Sequence, residues 1–319
     1  MIVLTGGSGF IGSNVLKALN QRGITDVVVV DELDESDKWK NLVGKSFCEI
    51  LDKSQLFDWL ENQKNVDAII HLGACSSTVE RDSNYLLENN YRYSRRVAEW
   101  AFARGVRFIY ASSAATYGDG LKGFSDDHDL LEQYEPLNMY GFSKHIFDLW
   151  LKREGLLEKA VGLKYFNVYG PNEYHKGRMA SAIIKMVGDI QRDKVIRLFQ
   201  SSEPHKFGDG EQVRDFIYVK DAAEMTVQFL DNDLGGIYNI GTGKEQTWNQ
   251  LANGVIKGVD STGKIEYISM PTDLIGKYQN YTCATMEKSH ANKLYLPKFS
   301  LEDAVLDYVR GYLVHGRYV

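Results

Sequence analysis

The sequence predicts an α/β fold, a doubly wound parallel sheet joined to a smaller, mixed α/β part, on three observations. The chain opens with an apolar run, Ile2-Val3-Leu4, with no polar alternation, the pattern of a strand buried on both faces. Gly6, Gly9 and Gly12 follow at once, and a helix read from Ser13 to Leu19 sets Ile11, Val15, Leu16 and Leu19 on one face. A second run, Val27-Val28-Val29-Val30, ends in Asp31, about 20 residues past the glycines.

The alternation continues along the first half. Asp67 to Leu72 reads as a buried strand ending at Gly73-Ala74-Cys75-Ser76-Ser77. Phe108 to Ala111 is the next, ending at Ser112-Ser113, and Val161 to Tyr165 follows a helix that carries Tyr140. Ligands of open parallel sheets bind beyond the carboxyl ends of the strands, so these polar clusters share one rim. After Pro171 the alternation weakens to a helix from Met179 to Arg192 and a strand from Val195 to Phe199. Asp221 to Leu230 reads as a helix returning to the first part. Leu301 to Leu313 closes the chain, with Leu301, Val305, Tyr308 and Tyr312 as a core stripe. The expected division is a cofactor-binding part at 1–166 and roughly 214–240, with a substrate-binding part at 167–213 and 241–319.

Composition narrows the function. At 319 residues the chain buries a sizeable core, and a net charge of −6 gives no basic surface for nucleic acid or anionic membrane. Its apolar runs are strand-length, far short of the ~20 residues that span a bilayer, and no signal-like segment precedes the first strand. Cys48, Cys75 and Cys283 are too few and too odd for a disulfide framework, which points to a reducing cytoplasm. The seven histidines show no metal-ligand spacing, so no metal is expected.

A strand, a glycine turn and a helix together make a pyrophosphate site, because unpaired N–H groups and the positive end of the helix dipole meet the phosphates. Asp31 stands where an acid takes the adenosine ribose hydroxyls. Tyr140 and Lys144 lie four residues apart on a helix, so phenol and ammonium share a face. A lysine there is expected to lower the tyrosine pKa, and a tyrosine so tuned takes a proton from an alcohol while hydride leaves the same carbon. Ser113, at a strand end, is placed to orient the substrate oxygen.

Gly6-x-x-Gly9-x-x-Gly12, Ser113 and Tyr140-x-x-x-Lys144 resemble the extended short-chain dehydrogenase/reductase superfamily with its Rossmann-type sheet. Asn167 to Pro171, Arg214 to Val219 and Tyr238 to Gly243 resemble later motifs of its nucleotide-sugar-modifying branch. Within that branch, Gly73 to Ser77, Ala111 to Gly118, Lys164 to Pro171 and His175 to Ser181 resemble the ADP-heptose 6-epimerase family. The resemblance implies inversion at C6 of an ADP-glycero-manno-heptose through a transient 6-keto sugar, with tightly held nicotinamide and no net redox change. It implies Tyr140 as one acid/base, Lys176 as the other, and Lys144 on the ribose hydroxyls. An anchor for a substrate phosphate is the alternative for Lys176. It further implies cofactor contacts from Gly6, Gly9, Phe10, Ile11, Gly12, Asp31, Glu32, Lys38, Lys53, Leu72, Gly73, Ala74, Cys75, Ser76, Asn89, Lys144, Val168 and Lys176. Substrate contacts fall on Ser113, Asn167, Arg178, Lys185, Phe199, Gln200, Ser201, Ser202, Arg214 and Tyr278. The family also implies a homo-oligomer and a role in lipopolysaccharide core synthesis.

Several readings stay open. Asp31 and Glu32 favour NAD, whereas lysines matching Lys38 and Lys53 serve NADP in the family; NADP is the preferred expectation, with Lys38 as a mere exposed charge the alternative. Arg214 suits a bidentate grip on a diphosphate, or pairs with Asp215 or Asp221. Glu203 to Gln212 is a surface excursion rather than a lid, and Cys75 a packing residue. Among rivals, a dehydratase carries acids after the serine, where Ala114-Ala115-Thr116 stand here. A 4-epimerase usually lacks His175-Lys176-Gly177, and a cofactor-sensing regulator loses the Tyr or Lys kept here.

Overall fold

The computed structural model describes residues 1–259, 262–271 and 278–319. Its centre is a parallel sheet of β1 Ile2–Thr5, β2 Val27–Asp31, β3 Glu49–Asp52, β4 Ala68–His71, β5 Arg107–Ser113 and β6 Ala160–Tyr165, closed by a seventh strand, Gly236–Ile240. The spatial order is Gly236–Ile240, β6, β5, β4, β1, β2, β3. Order therefore reverses between β1 and β4, where Thr5 lies opposite Val30 on one side and His71 on the other. A crevice opens at such a reversal, and it fixes where a ligand can sit. Val3, Leu4, Val27, Val29, Ile69 and Ile70 are wholly buried, as the unbroken apolar runs required.

Two strands of the central sheet escape the sequence pattern. Glu49-Ile50-Leu51-Asp52 is a half-exposed edge with charges at both ends, too short to show alternation. Gly236–Ile240 carries a polar Asn239 in the middle of a buried strand. That side chain is satisfied by Tyr117 Oη (2.6 Å), Phe124 O (2.8 Å) and Thr285 O (3.0 Å), contacts distant in sequence.

Capping sets two helix starts differently from the sequence reading. The first helix runs Phe10–Gln21, not from Ser13, because Gly9 is already extended (φ −70°, ψ 178°) and ends the turn. The helix read from Met179 begins instead at Ala182. Glu173 accepts from Ser181 N and Oγ, both at 2.6 Å, and this clamp stops the preceding 3₁₀ turn, Tyr174–Met179, from merging with it.

A second apolar cluster joins helices Ala182–Asp193, Trp248–Val259 and Leu301–Gly311 to the parallel pair Val195–Phe199 and Lys264–Ile268. Val305 and Tyr308 of the predicted stripe are wholly buried in it. Among the described residues no helix is long and apolar enough to cross a membrane.

His71, at the end of β4, bridges Thr5 Oγ1 (2.6 Å) and Ser94 Oγ (2.9 Å) in the core. Burial, and then Lys144, push its pKa down to about 3. The unfolded chain therefore binds a proton there that the folded chain refuses between about pH 3 and pH 6.5, and folding stability falls as pH drops through that window. One such group contributes a slope of about 1.4 kcal/mol per pH unit. The unfolding midpoint in urea, followed from neutral to acid pH, should fall less steeply in His71→Asn than in the parent chain; equal slopes would exclude His71 as the source.

Candidate active site

The turn after β1 is a backbone cradle. Gly6 has φ +69°, and a Cβ there would stand 2.7 Å from Gly73 N. A Cβ on Gly12 would stand 2.0 Å from Gly6 O, so only glycine lets the helix start so close to the strand. Phe10, Ile11 and Gly12 then form a first helical turn whose N–H groups have no intrahelical partners. At the next strand end, Asp31 Oδ2 accepts from Ser8 N (2.9 Å), and Oδ1 from Glu32 N and Lys38 Nζ (both 2.8 Å). Lys38 also reaches Glu32 O (2.5 Å), and Lys53 pairs with the Glu32 carboxylate and with Asn89 Oδ1 (3.3 Å). A glycine cradle too close-packed for any side chain, ending at a helix N-terminus beside a strand-end acid, fits the pyrophosphate and ribose of a dinucleotide.

The cradle opens into a cleft of about 390 Å³. Its walls include Gly6, Gly9, Phe10, Ile11, Gly12, Asp31, Lys38, Leu72, Gly73, Ala74, Cys75 and Ser76, together with Tyr140, Lys144 and Lys176. Residues far apart in sequence thus meet at the rim that strand order defined. Glu32, Lys53, Asn89, Ser113 and Val168 lie outside this lining; Ser113 is nevertheless bonded to the Tyr140 phenol.

Tyr140 and Lys144 project from helix Met139–Arg153, whose first turn is capped by Asn138 Oδ1 on Gly141 N (2.8 Å). A buried charge network fixes that helix against β5. Asp148 Oδ1 accepts from Tyr110 Oη (2.8 Å), and its Oδ2 from Ser112 Oγ (2.7 Å), with Lys164 Nζ at 3.4 Å and both charged groups fully buried. Lys164 in turn donates to Thr116 Oγ1 (2.6 Å). The network seats the end of β5, and so Ser113, beside the Tyr140 turn.

The expected pKa relation is corrected here. Burial pushes the Tyr140 phenol up, against a smaller lowering by the Ser113 hydrogen bond. Lys144 Nζ donates to Ala111 O (2.8 Å), and burial brings its own pKa to about 8. Desolvation outweighs the i, i+4 spacing, because the ammonium is drawn toward a strand carbonyl.

Lys176 sits on the Tyr174–Met179 turn, with Nζ 5.2 Å over the Phe10 ring. Burial lowers its pKa, partly offset by Glu173, so its ammonium gives up a proton more readily than an exposed lysine. His175 also lines the cleft, and burial with Lys38 and Lys176 nearby holds it near 4, hence neutral.

A second cavity of about 190 Å³ is mostly apolar and aromatic. Lys185, Phe199 and Tyr278 line it with Met186, Arg197 and Trp248. Arg214 lies beside it, 4.9 Å over the Tyr278 ring and 5.8 Å from Trp248. Neither carboxylate proposed for it is engaged with it. Asp215 instead accepts from Thr242 N, Gly243 N and Ala284 N, and Asp221 from Tyr295 Oη and Phe299 N. Among the described residues, the Arg214 side chain donates only to Val213 O (2.8 Å), a buried guanidinium with its fork unspent. Gln200, Ser201 and Ser202 bond to Ser269, Asp209 and Asn280 respectively, outside the cavity walls. Asn167 and Arg178 are exposed. Most of Glu203–Gln212 is exposed too, but Gly210 and Gln212 turn inward and line the cavity.

Trp248 and Asn90 were not found from sequence. Trp248 opens a helix after a polar stretch, with nothing local to mark it as a cavity wall. Asn90 accepts from Cys75 N (2.9 Å), and its Nδ2 donates to Cys75 O (2.9 Å) and Ser143 Oγ (3.0 Å), tying the cleft loop to the Tyr140 helix.

Cradle, strand-end acid and Tyr–Lys helix define a dinucleotide-binding class of protein, and residues 2–241 match the model of the NAD dependent epimerase/dehydratase family. An ADP-L-glycero-D-manno-heptose-6-epimerase from Nitratidesulfovibrio vulgaris is 50% identical over 317 residues, 98% of each chain. One from Fusobacterium nucleatum is 42% identical over 326 residues, again 98% of each. The crystal structure of the Helicobacter pylori ADP-L-glycero-D-manno-heptose-6-epimerase superposes with a TM-score of 0.83 at 28% identity, covering 99% of this chain and 96% of that one. The chain belongs to the NAD dependent epimerase/dehydratase family and, within it, to the ADP-L-glycero-D-manno-heptose-6-epimerases.

Proposed function

We propose that this isomerase inverts C6 of ADP-D-glycero-β-D-manno-heptose to give the L-glycero epimer, with NADP held throughout. The observation that carries the proposal is one cleft lined by the dinucleotide cradle, Tyr140 and Lys176 together. A bound nicotinamide supplies what no side chain can, acceptance of hydride from C6 and its return. Tyr140 takes or gives the proton on the C6 oxygen from one side, steadied by Ser113. Lys176 does the same for the opposite orientation of the 6-keto sugar. The face that receives the returning hydride sets the C6 configuration, and turning the 6-keto sugar carries its oxygen from the Tyr140 side to the Lys176 side, so each orientation has its own proton donor. Lys144 holds the ribose hydroxyls. Arg214 grips the diphosphate with its free fork while the Phe199, Tyr278 and Trp248 cavity takes the adenine. Residues 1–166 with 214–240 serve the cofactor, and the remainder serves the substrate.

NADP is favoured over NAD by the surroundings of Asp31. Both of its oxygens already accept hydrogen bonds, and Lys38 and Lys53 offset Asp31 and Glu32, leaving a setting in which a 2′-phosphate meets cations. The product is a precursor of the lipopolysaccharide core, made in the cytoplasm by a homo-oligomer.

Incubation with ADP-D-glycero-heptose should give, by proton NMR, a product of unchanged mass and inverted C6 configuration, with no added oxidant. Denaturation should release NADP, identified by mass. Lack of turnover by cofactor-loaded protein would overturn the epimerase reading, and release of NAD alone would overturn the cofactor choice.

A further inference from the structure

We propose that Asn41 is a positioning residue that couples the cofactor-holding segments to Lys176. The inference rests on the reading of Lys176 as the second acid/base. Asn41 is wholly buried on the 3₁₀ segment Asp37–Leu42, three residues after Lys38. Its Nδ2 donates to Ser8 O (2.9 Å) and Asn172 O (3.1 Å), and lies 3.3 Å from His175 Nδ1. One amide therefore joins three segments distant in sequence.

On the cofactor side, Ser8 belongs to the glycine turn and its N–H is spent on Asp31, the same carboxylate that Lys38 grips. On the other side, Asn172 (φ +76°) and His175 bracket Glu173, whose carbonyl accepts from Lys176 N (3.0 Å). Asn172 is fully buried and its own Nδ2 reaches Ser13 Oγ (3.0 Å) on the first helix. The flanks of the Lys176 turn are held elsewhere, by Ser181 on Glu173 and by Tyr174 Oη on Arg317 O (2.9 Å), but these ties do not reach the cofactor side. Gly177 leaves helical geometry at φ +51° and is exposed, and Lys176 Nζ makes no ion pair among the described residues. A long, flexible side chain in such a turn keeps its place only if the backbone beneath it is anchored, and Asn41 is the anchor that ties that backbone to the glycine turn. His175 is neutral at physiological pH and so adds no cation beside Lys38 and Lys176.

Hydrogen exchange of the NADP-loaded enzyme tests the coupling. In Asn41→Ala, amides of residues 172–180 should exchange at least about 10-fold faster, while residues 8–13 and the cofactor content stay as in the parent. Cofactor absorbance at 340 nm supplies the second readout, following the half-reaction from each pure epimer of ADP-heptose. The variant should lose roughly 10-fold or more with the one epimer whose half-reaction Lys176→Met also loses, and stay within about 3-fold with the other. Asn41→Ser, which keeps a short donor, should fall between parent and Ala, and serves if the Ala variant does not fold. Unchanged exchange at 172–180, loss of cofactor, or equal losses with both epimers would each overturn the proposal. Should Lys176→Met itself turn over normally, the two-base reading fails while the exchange result still decides on Asn41.

Discussion

Lys176→Met is expected to slow epimerisation by about 10³, within the 10²–10⁴ range of a lost general acid/base, or about 4 kcal/mol at the transition state. The methionine keeps the length and apolar stem of the lysine and removes only the ammonium that sits 5.2 Å over the Phe10 ring, so the cleft should hold its shape and its cofactor. The loss should fall on kcat with little change in KM. Lys176 as a phosphate anchor predicts the reverse, a raised KM with kcat preserved, because binding lost equally from ground and transition states leaves the chemical step untouched. A sharper contrast lies in the half-reactions. One epimer should still reduce the cofactor through Tyr140, while the other, which presents its C6 hydroxyl toward Lys176, should not. Steady-state kinetics on both epimers with 340-nm single turnovers decide the matter, and near-parent rates in both directions would remove Lys176 from the mechanism.

The first half of the fold was legible because buried parallel strands are apolar on both faces and the glycine turn is local in sequence. Val27 to Asp31 needed no tertiary information, whereas Gly236–Ile240 did, since Asn239 is tolerable only with Tyr117, Phe124 and Thr285 around it. The rim of the site was legible for the same reason: strand ends collect on one edge, so Asp31 and Gly73 had to share it, with Ser113 at the end of β5 beside Tyr140. What local sequence hides is which polar residue holds which segment. Asn41 and Asn90 look like ordinary surface asparagines until Ser8, Asn172, Cys75 and Ser143 are brought to them. Charge state is hidden in the same way. Spacing placed Lys144 beside Tyr140, but burial and the Ala111 carbonyl decide how much charge reaches the phenol.

Tyr140→Phe should also cost about 10³ in kcat, with the surviving half-reaction belonging to the other epimer from the one spared in Lys176→Met. Phenylalanine preserves the ring, and the helix cap at Asn138 and the Ser143–Asn90 tie do not involve the phenol, so folding and cofactor content should be unaffected. The pH profile carries the diagnostic sign. Burial raises the Tyr140 pKa, so the phenol is protonated at neutral pH and its phenolate fraction grows as pH rises. Lys144 keeps its own charge to about pH 8, held on the Ala111 carbonyl rather than on the phenol. In the parent enzyme the half-reaction that uses Tyr140 should therefore quicken from about pH 6 toward about pH 8, and the slow residual reaction of Tyr140→Phe should lack that rise. A pH-rate slope that survives the substitution would assign the proton transfer to another group in the cleft.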